Sequence, residues 1–193
     1  MRDNNEQIET INELMSKLSN NLDHLSREDR VAPTLVKKKL VKVIIVYDSK
    51  YGNTKIAAEK ISEGLRTARG VEVKLKKVGD TDINQIPEYD LIVIGSPTHF
   101  GGPTRGIKKF IDKLGELDLK KKVTAAFDTY MGKDFQMTVR KMEEKLTKSA
   151  SKLKILSPGL SIKVEGMKGS IVEDELAKCE KFGRDLEKKI HQS

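Results

Sequence analysis

The sequence predicts a doubly wound α/β fold, built on a five-stranded parallel sheet with strand order 2-1-3-4-5. Two observations lead to this prediction. From Leu40 onward, apolar strand-like runs alternate with helix-like stretches, as in a parallel sheet with crossover helices. Three of the runs are almost continuously apolar, whereas two alternate apolar with polar residues. Only strands covered on both faces need continuous apolar runs, so the first group should be central and the second should lie at the edges.

An amphipathic helix precedes this domain. Its apolar residues are spaced alternately three and four positions apart: Ile8, Ile11, Met15, Leu18, Leu22 and Leu25. The pattern predicts one helix from about Ile8 to Leu25, and Pro33 marks the connector that follows. We therefore divide the chain into a helical extension with its connector, residues 1–33, and an α/β domain, residues 40–193. The narrow apolar seam suits a homodimer as well as packing on the chain's own domain, and both alternatives stay open.

The strands follow from the same reasoning. The continuous runs are residues 43–46, 91–94 and 123–127, which we expect at the centre of the sheet. The alternating runs, residues 71–76 and 160–164, are the expected edges, where lysines also discourage pairing with another sheet. In chain order the second and fifth strands are then edges, which the order 2-1-3-4-5 satisfies.

Apolar stripes predict four more helices. The stripes are Ile56, Ala57, Ile61, Leu65 and Ala68, closed by Gly70; Ile107, Phe110, Ile111 and Leu114, ending at Gly115; Phe135, Val139, Met142 and Leu146; and Val172, Leu176, Cys179, Phe182, Leu186 and Ile190. Cys179 should therefore face the core. Pro87 and its polar neighbours limit residues 80–87 to a short helix.

Composition narrows the class of protein. The chain has 193 residues and a single cysteine, Cys179, which excludes an internal disulfide. Its start lacks the apolar core of a secretory signal, and no apolar run approaches the roughly 20 residues that span a bilayer. We expect a cytoplasmic protein with no membrane association.

The chain carries a net positive charge. The 37 Lys and Arg residues exceed the 29 Asp and Glu residues, for a formal net charge of +8. The whole excess lies after residue 40, because residues 1–40 hold as many acidic as basic side chains. This favours acidic partners. No zinc finger, recognition helix or aromatic-interleaved basic strand accompanies the charge, so we do not expect nucleic-acid binding.

Three polar loops follow the first, third and fourth strands, at residues 48–54, 96–103 and 128–134. Ligands of such sheets bind at this carboxyl edge, where the strand order reverses. In the first loop, hydroxyl and amide side chains surround Gly52 directly before a helix, which favours an anion. None of the loops has His, Cys and carboxylate residues spaced for a metal, and none marks a catalytic residue.

These loops resemble those of the flavodoxin family. Residues 47–54, Tyr-Asp-Ser-Lys-Tyr-Gly-Asn-Thr, are similar to its FMN phosphate loop and nearest to the flavodoxin-like domain of flavodiiron proteins. Residues 95–103 resemble the loop that contacts the isoalloxazine ring, and their Pro-Thr-His-Phe-Gly part is similar to flavodoxin-like NAD(P)H:quinone reductases. The resemblance covers roughly residues 41–190. It implies a flavodoxin-like fold with FMN as the cofactor.

The resemblance also implies the contacts to FMN. They are Ser49, Lys50, Tyr51, Gly52, Asn53, Thr54, Ser96, Pro97, Thr98, His99, Phe100, Gly101, Gly102, Asp128, Thr129, Tyr130 and Gly132. The first loop would hold the phosphate, with Lys50 pointing to solvent. His99 or Phe100 would flank the ring and Tyr130 would cover it. The third loop departs from the Gly-Ser-Tyr-Gly-Trp sequence of the flavodiiron domain.

Three functions are consistent with these features. The first is an FMN-dependent electron carrier that shuttles electrons between redox partners, with an acidic partner such as a ferredoxin complementing the basic domain. The second is an NAD(P)H-dependent FMN reductase of quinones or flavins, although the chain has no separate dinucleotide-binding fingerprint. The third is a non-redox assembly module with empty loops.

Overall fold

The computed structural model describes residue 9, residues 11–19 and residues 40–190. Contacts divide the chain into two compact units, Met1–Lys38 and Lys39–Ser193. In the first unit, residue 9 and residues 11–19 are helical, and we call residues 11–19 α1. Three side chains of the predicted seam, Ile11, Met15 and Leu18, are each more than half exposed. The rest of the predicted helix, including Ile8 and residues 20–25, and the connector at Pro33 lie outside the described residues.

The second unit contains the predicted parallel sheet, which confirms the doubly wound fold and the strand order. Its strands are β1 (Val41–Tyr47), β2 (Val71–Lys77), β3 (Leu91–Pro97), β4 (Val123–Tyr130), β5 (Lys154–Ile155) and β6 (Leu160–Lys163). The order is β2-β1-β3-β4-β5, with β6 also pairing with β4, and all pairs are parallel.

Helices cover both faces of the sheet. They are α2 (Asn53–Arg66), α3 (Arg105–Leu114), α4 (Met137–Ser149) and α5 (Glu173–Ile190), with short 3₁₀ turns at Val78–Asp80 and Ile83–Glu88. One core lies between the sheet and the α2–α5 layer, where Cys179 is fully buried as predicted. The other lies under α3 and α4. The two cores share β1, β3 and β4, whose successive side chains enter opposite layers, and this is why those strands are apolar throughout.

The fifth position of the sheet differs from the prediction. Two short strands occupy it in place of one: β5 pairs with Val123 and Thr124, and β6 pairs with residues 127–130 of β4. The predicted run at residues 160–164 corresponds to β6. β5 was not predicted because two residues carry no periodic pattern. The edge is therefore interrupted between the two strands.

Two strands are longer than predicted, and this changes the loops. β3 continues through Ser96 and Pro97, and β4 continues through Asp128, Thr129 and Tyr130. These five residues belong to strands and not to loops. The sequence pattern did not predict these strand ends because their residues are mostly polar. Asp128, for example, is fully buried at a position where an apolar residue would be expected.

Two predicted helical stripes also need correction. Ile56 is 42% exposed, and α2 ends at Arg66, before Ala68 and Gly70. Phe135 precedes α4 and is 59% exposed, while Val139, Met142 and Leu146 are buried as predicted. Within the described residues, no helix is both long and apolar enough to cross a membrane.

Candidate functional site

A groove lies at the carboxyl edge of the sheet, where β1 and β3 are neighbours and the strand order reverses. It is lined by Ser49, Lys50, Tyr51, Asn53, Thr54, Pro97, Thr98, His99, Thr129, Met131, Asp134, Val164, Gly166 and Met167. Nine of these residues were predicted as site residues from the sequence. They come from strand ends, loops and a helix start that are far apart in the chain, and the parallel sheet brings them together.

The first loop ends in an open helix start. Gly52 is the N-cap residue of α2 and has φ +99°, a conformation that glycine adopts without strain, so the N-cap position supplies no side-chain cap. The first turn of α2 contains no acidic residue. Its N–H groups have no acceptor within the helix and point toward the groove with the positive end of the helix dipole. Ser49 Oγ accepts a hydrogen bond from the Gly52 N–H (3.1 Å), which fixes the loop. This geometry suits an anion.

Two hydrogen bonds connect the first loop to its neighbours. The hydroxyls of Thr54 and Thr129 lie 2.9 Å apart and are buried. Asn53 Nδ2 donates to the carbonyl oxygen of Gly169 at 2.7 Å. The Asn53 side-chain amide, for which the family resemblance implies a contact to the phosphate, thus holds the loop that follows β6.

The second loop is a tight turn with an unpaired hydroxyl at its base. His99 and Gly102 exchange backbone hydrogen bonds (2.8 and 3.2 Å), and Lys141 Nζ donates to the Gly101 carbonyl. Phe100 occupies the tip with φ +48°, is 97% exposed and contacts the His99 ring edge-on at a centroid distance of 4.5 Å. At the base, Thr98 lines the groove, and its Oγ1 is buried and has no hydrogen-bond partner within the described part of the chain. A buried hydroxyl without a partner is rare, and Thr138 Oγ1 in the first turn of α4 is a second one in the described part of the chain.

Several predicted site residues do not line the groove. Ser96 is buried, donates to the Pro97 carbonyl and accepts from the Thr104 N–H at 3.0 Å, so it fixes the start of α3. Tyr130 is buried and packs edge-on against Phe135 at 5.6 Å. Burial raises its pKa. Gly52, Gly101, Gly102 and Gly132 shape the loops without lining the groove, and Phe100 faces a neighbouring cleft.

Asp128 stabilises the N-terminal end of α4. Its Oδ2 accepts from the Val139 N–H (2.8 Å) and its Oδ1 accepts from Ser161 Oγ (2.6 Å), while the N-cap residue of α4, Gln136, supplies no side-chain cap. Burial raises the pKa of Asp128 to about 6, and hydrogen bonds from Ser161 and Val139 partly oppose that rise. Asp128 therefore caps a helix from a neighbouring strand and does not line the groove.

A fourth loop, after β6, was missed by the sequence reasoning. Val164, Gly166 and Met167 line the groove beside the first loop. The signal was available, because a loop after any strand of a parallel sheet lies at the same edge as the loops after the others. Within the described residues, no group of His, Cys, Asp and Glu side chains could hold a metal ion.

Comparisons with known proteins agree with this geometry. The family model described as flavodoxin matches residues 45–175. A flavodoxin of Aquifex aeolicus is 37% identical over 94 residues, which are 47% of this chain and 51% of the relative. The chain thus spans about half the length of that curated relative.

Two solved structures resemble the fold. A flavodoxin from the domain Archaea has a TM-score of 0.67 and 27% identity, over 78% of this chain and 99% of its own. The flavodiiron protein of Giardia intestinalis has a TM-score of 0.66 and 22% identity, over 81% of this chain and 38% of its own. At that identity the second likeness concerns the fold alone.

Proposed function

Because the chain belongs to the flavodoxin family, whose cofactor is FMN, we propose that it is an electron carrier that holds FMN in the groove and passes electrons between redox partners. FMN supplies the redox chemistry when it is bound, since flavins accept and release electrons. The protein supplies binding, orientation and charge. One observation carries the proposal: the start of α2, whose N-cap residue Gly52 supplies no side-chain cap, opens onto a groove that Thr98 and His99 of the second loop also line.

The residues present fit FMN. The phosphate would lie at the start of α2, held by the backbone N–H groups of its first turn and by the hydroxyls of Ser49, Tyr51 and Thr54. Asn53 would contribute its backbone N–H while its side chain keeps its bond to Gly169. Thr98 and His99 would border the cofactor from the second loop, with His99 beside the ring.

A titration with FMN and riboflavin tests the proposal. We expect the protein to take up FMN with a flavin absorption band, and to bind riboflavin much more weakly because riboflavin lacks the phosphate. A protein that stays colourless with added FMN would refute the carrier and support the assembly module with empty loops. Equal affinity for the two flavins would refute the phosphate site at α2.

Adding NADH or NADPH to the loaded protein separates the carrier from the reductase. A carrier keeps its oxidised flavin spectrum until a redox partner is added. Rapid loss of the flavin band with either nicotinamide alone, followed by turnover with a quinone, would replace the carrier with the reductase.

We also propose an acidic redox partner, such as a ferredoxin. Lys50, Lys133 and Lys168 are exposed and belong to three of the loops around the groove, where Asp134 is the carboxylate that lines it. Positive charge around the exit of a redox site speeds encounter with an acidic surface. Electron transfer to an acidic ferredoxin should slow several-fold in Lys133→Ala/Lys168→Ala and lose part of its salt dependence. Lys74→Ala/Lys76→Ala, which removes the same charge from edge strand β2, is the control. Equal slowing in both variants would argue against a docking face.

The N-terminal unit is proposed to act apart from the flavin site. We expect deletion of residues 1–33 to leave FMN affinity unchanged; a loss of FMN would make those residues part of the flavin domain.

The exposed apolar side chains of α1, which could form a homodimer contact, are Ile11, Met15 and Leu18. If these residues form a homodimer seam, Leu18→Glu should give a monomer in sedimentation while Ser16→Glu, on another face of the helix, should not. A full-length protein that sediments as a monomer would exclude the homodimer and leave packing of the helix on its own chain as the alternative.

A further inference from the structure

A second cleft adjoins the groove, and the residues that line the cleft but not the groove have no part in the flavin contacts proposed above. It has a volume of about 620 Å³ and shares Lys50, Pro97 and His99 with the groove. Its other wall is formed by the tip of the second loop and the first turn of α3, including Phe100, Arg105 and Lys108. A ligand there would lie next to the flavin site and would share Lys50, Pro97 and His99 with it as lining residues.

The cleft carries an excess of positive charge. Three cationic side chains, Lys50, Arg105 and Lys108, line it against a single carboxylate, Asp48. Neither Arg105 nor Lys108 forms an ion pair with any residue in the described part of the chain, although the surface elsewhere pairs many of its lysines. The α3 helix start is already capped, since Thr104 Oγ1 accepts from the Ile107 N–H. The attraction for an anion therefore comes from the side chains, with guanidinium and ammonium groups that favour phosphate.

An aromatic surface stands beside these cations. Phe100 is 97% exposed and has φ +48°, a conformation that non-glycine residues rarely adopt. The turn is held from several sides, by the His99–Gly102 backbone pair, by Lys141 on the Gly101 carbonyl and by the Thr98 N–H on the Thr129 carbonyl (2.8 Å). Phe100 is therefore held in a strained backbone conformation with its ring exposed, and such strain is common at binding sites. An exposed aromatic face next to several cations matches a base joined to phosphates.

We propose that this cleft binds a phosphorylated nucleotide, with its phosphates on Arg105, Lys108 and Lys50 and its base against Phe100. The proposal goes beyond the electron-carrier function, because it concerns a different cavity and a different ligand. It does not require FMN in the groove.

Binding of ADP to the FMN-saturated full-length protein tests the proposal, because FMN then blocks the groove. In calorimetry we expect ADP to bind, and both inorganic pyrophosphate and adenosine to bind at least about tenfold more weakly. Arg105→Ala/Lys108→Ala should weaken ADP binding about tenfold or more, since two charge-assisted contacts are lost. The matched double variant Lys133→Ala/Lys168→Ala should change it less than about twofold. Phe100→Ala should weaken ADP but not pyrophosphate.

Several results would overturn the nucleotide site. They are no ADP binding up to about 5 mM, pyrophosphate binding as tight as ADP, an unaffected Phe100→Ala variant, or equal losses in the two double variants. The FMN affinity of each variant is measured separately. A chain that fails to bind FMN would refute the proposed carrier, and the same ADP titration on the FMN-free protein, with the same variants, would then decide the nucleotide site.

Discussion

Asn53 Nδ2 donates a 2.7 Å hydrogen bond to the carbonyl oxygen of Gly169, which joins the first residue of α2 to the loop after β6. This bond spans 116 residues of sequence and holds one side of the groove to the other. It gives the Asn53 side chain a role that its place in the phosphate loop did not suggest.

Asn53→Ala should therefore loosen the fourth loop. One hydrogen bond contributes about 0.5–1.5 kcal/mol. If the bond holds the fourth loop in the conformation that binds FMN, its loss should weaken FMN affinity about two- to tenfold. Hydrogen exchange of residues 165–170 should also become faster. Asn84→Ala is the control, because the Asn84 side chain donates to its near neighbour Asp82 in a distant 3₁₀ turn. Unchanged exchange in the fourth loop would show that the bond does not hold it.

Gly52→Ala should weaken FMN binding through the backbone. An alanine at φ +99° costs about 1–3 kcal/mol or forces the loop to shift, and a shift moves the N–H groups at the start of α2. We expect FMN affinity to fall by about tenfold or more while riboflavin affinity changes less, because the loop faces the phosphate. Gly79→Ala, where an added Cβ meets nothing within 4 Å, should leave both unchanged. Equal losses for the two flavins would contradict the assignment of the phosphate to this loop.

The centre of the fold could be predicted because burial on both faces leaves a direct trace in the sequence. Val43, Ile44, Ile45 and Val46 are all at most 3% exposed, and the neighbouring strands show the same continuous apolar pattern. Strand ends could not be predicted in this way. Asp128 is a strand residue with no apolar signal, because its burial is compensated by Ser161 and the Val139 N–H, contacts that exist only after folding.

The site was predicted where a motif is local and missed where tertiary structure builds it. Ser49, Tyr51 and Thr54 reach the groove because strand, loop and helix follow one another directly. Met167 and Val164 belong to an irregular loop whose sequence resembles no motif, and only the parallel pairing of β6 with β4 brings them there. Either His99 or Phe100 was expected to flank the ring; His99 lines the groove, whereas Phe100 lines the neighbouring cleft.

Gly183→Ala should destabilise the fold without a specific effect on FMN. A Cβ at Gly183 would lie 2.2 Å from the Ile61 carbonyl oxygen, and one at Gly64 would lie 2.0 Å from the Glu180 carbonyl oxygen. The two glycines thus allow α2 and α5 to pack backbone to backbone. Overpacking costs about 1–3 kcal/mol, which denaturant unfolding would measure. Gly79→Ala again serves as the control. A Gly183→Ala protein as stable as that control would show that the helices separate at little cost.

Asp128 should make the stability of the protein fall as pH rises from about 4 to about 7. Its pKa is raised by burial from 3.8 to about 6, so the folded protein holds this proton more tightly than the unfolded chain does. The stabilisation from the bound proton is fully present below pH 3.8 and is lost as pH rises through 6. The whole effect is on the order of 3 kcal/mol. Asp128→Asn removes the titration but also exchanges one acceptor of the α4 cap for an amide donor, so its absolute stability should fall.

The difference between the two proteins isolates the ionisation from that loss of the cap. We expect the stability of the wild type minus that of Asp128→Asn to decrease by about 2–3 kcal/mol between pH 4 and pH 7, measured by urea unfolding. Ser161→Ala removes the hydroxyl that donates to Oδ1 but keeps the carboxyl, so it should retain the slope and raise the pKa of Asp128 further. A difference that is flat with pH would mean that Asp128 ionises as readily in the folded protein as in the unfolded chain. Its burial under α4 would then cost the carboxylate nothing.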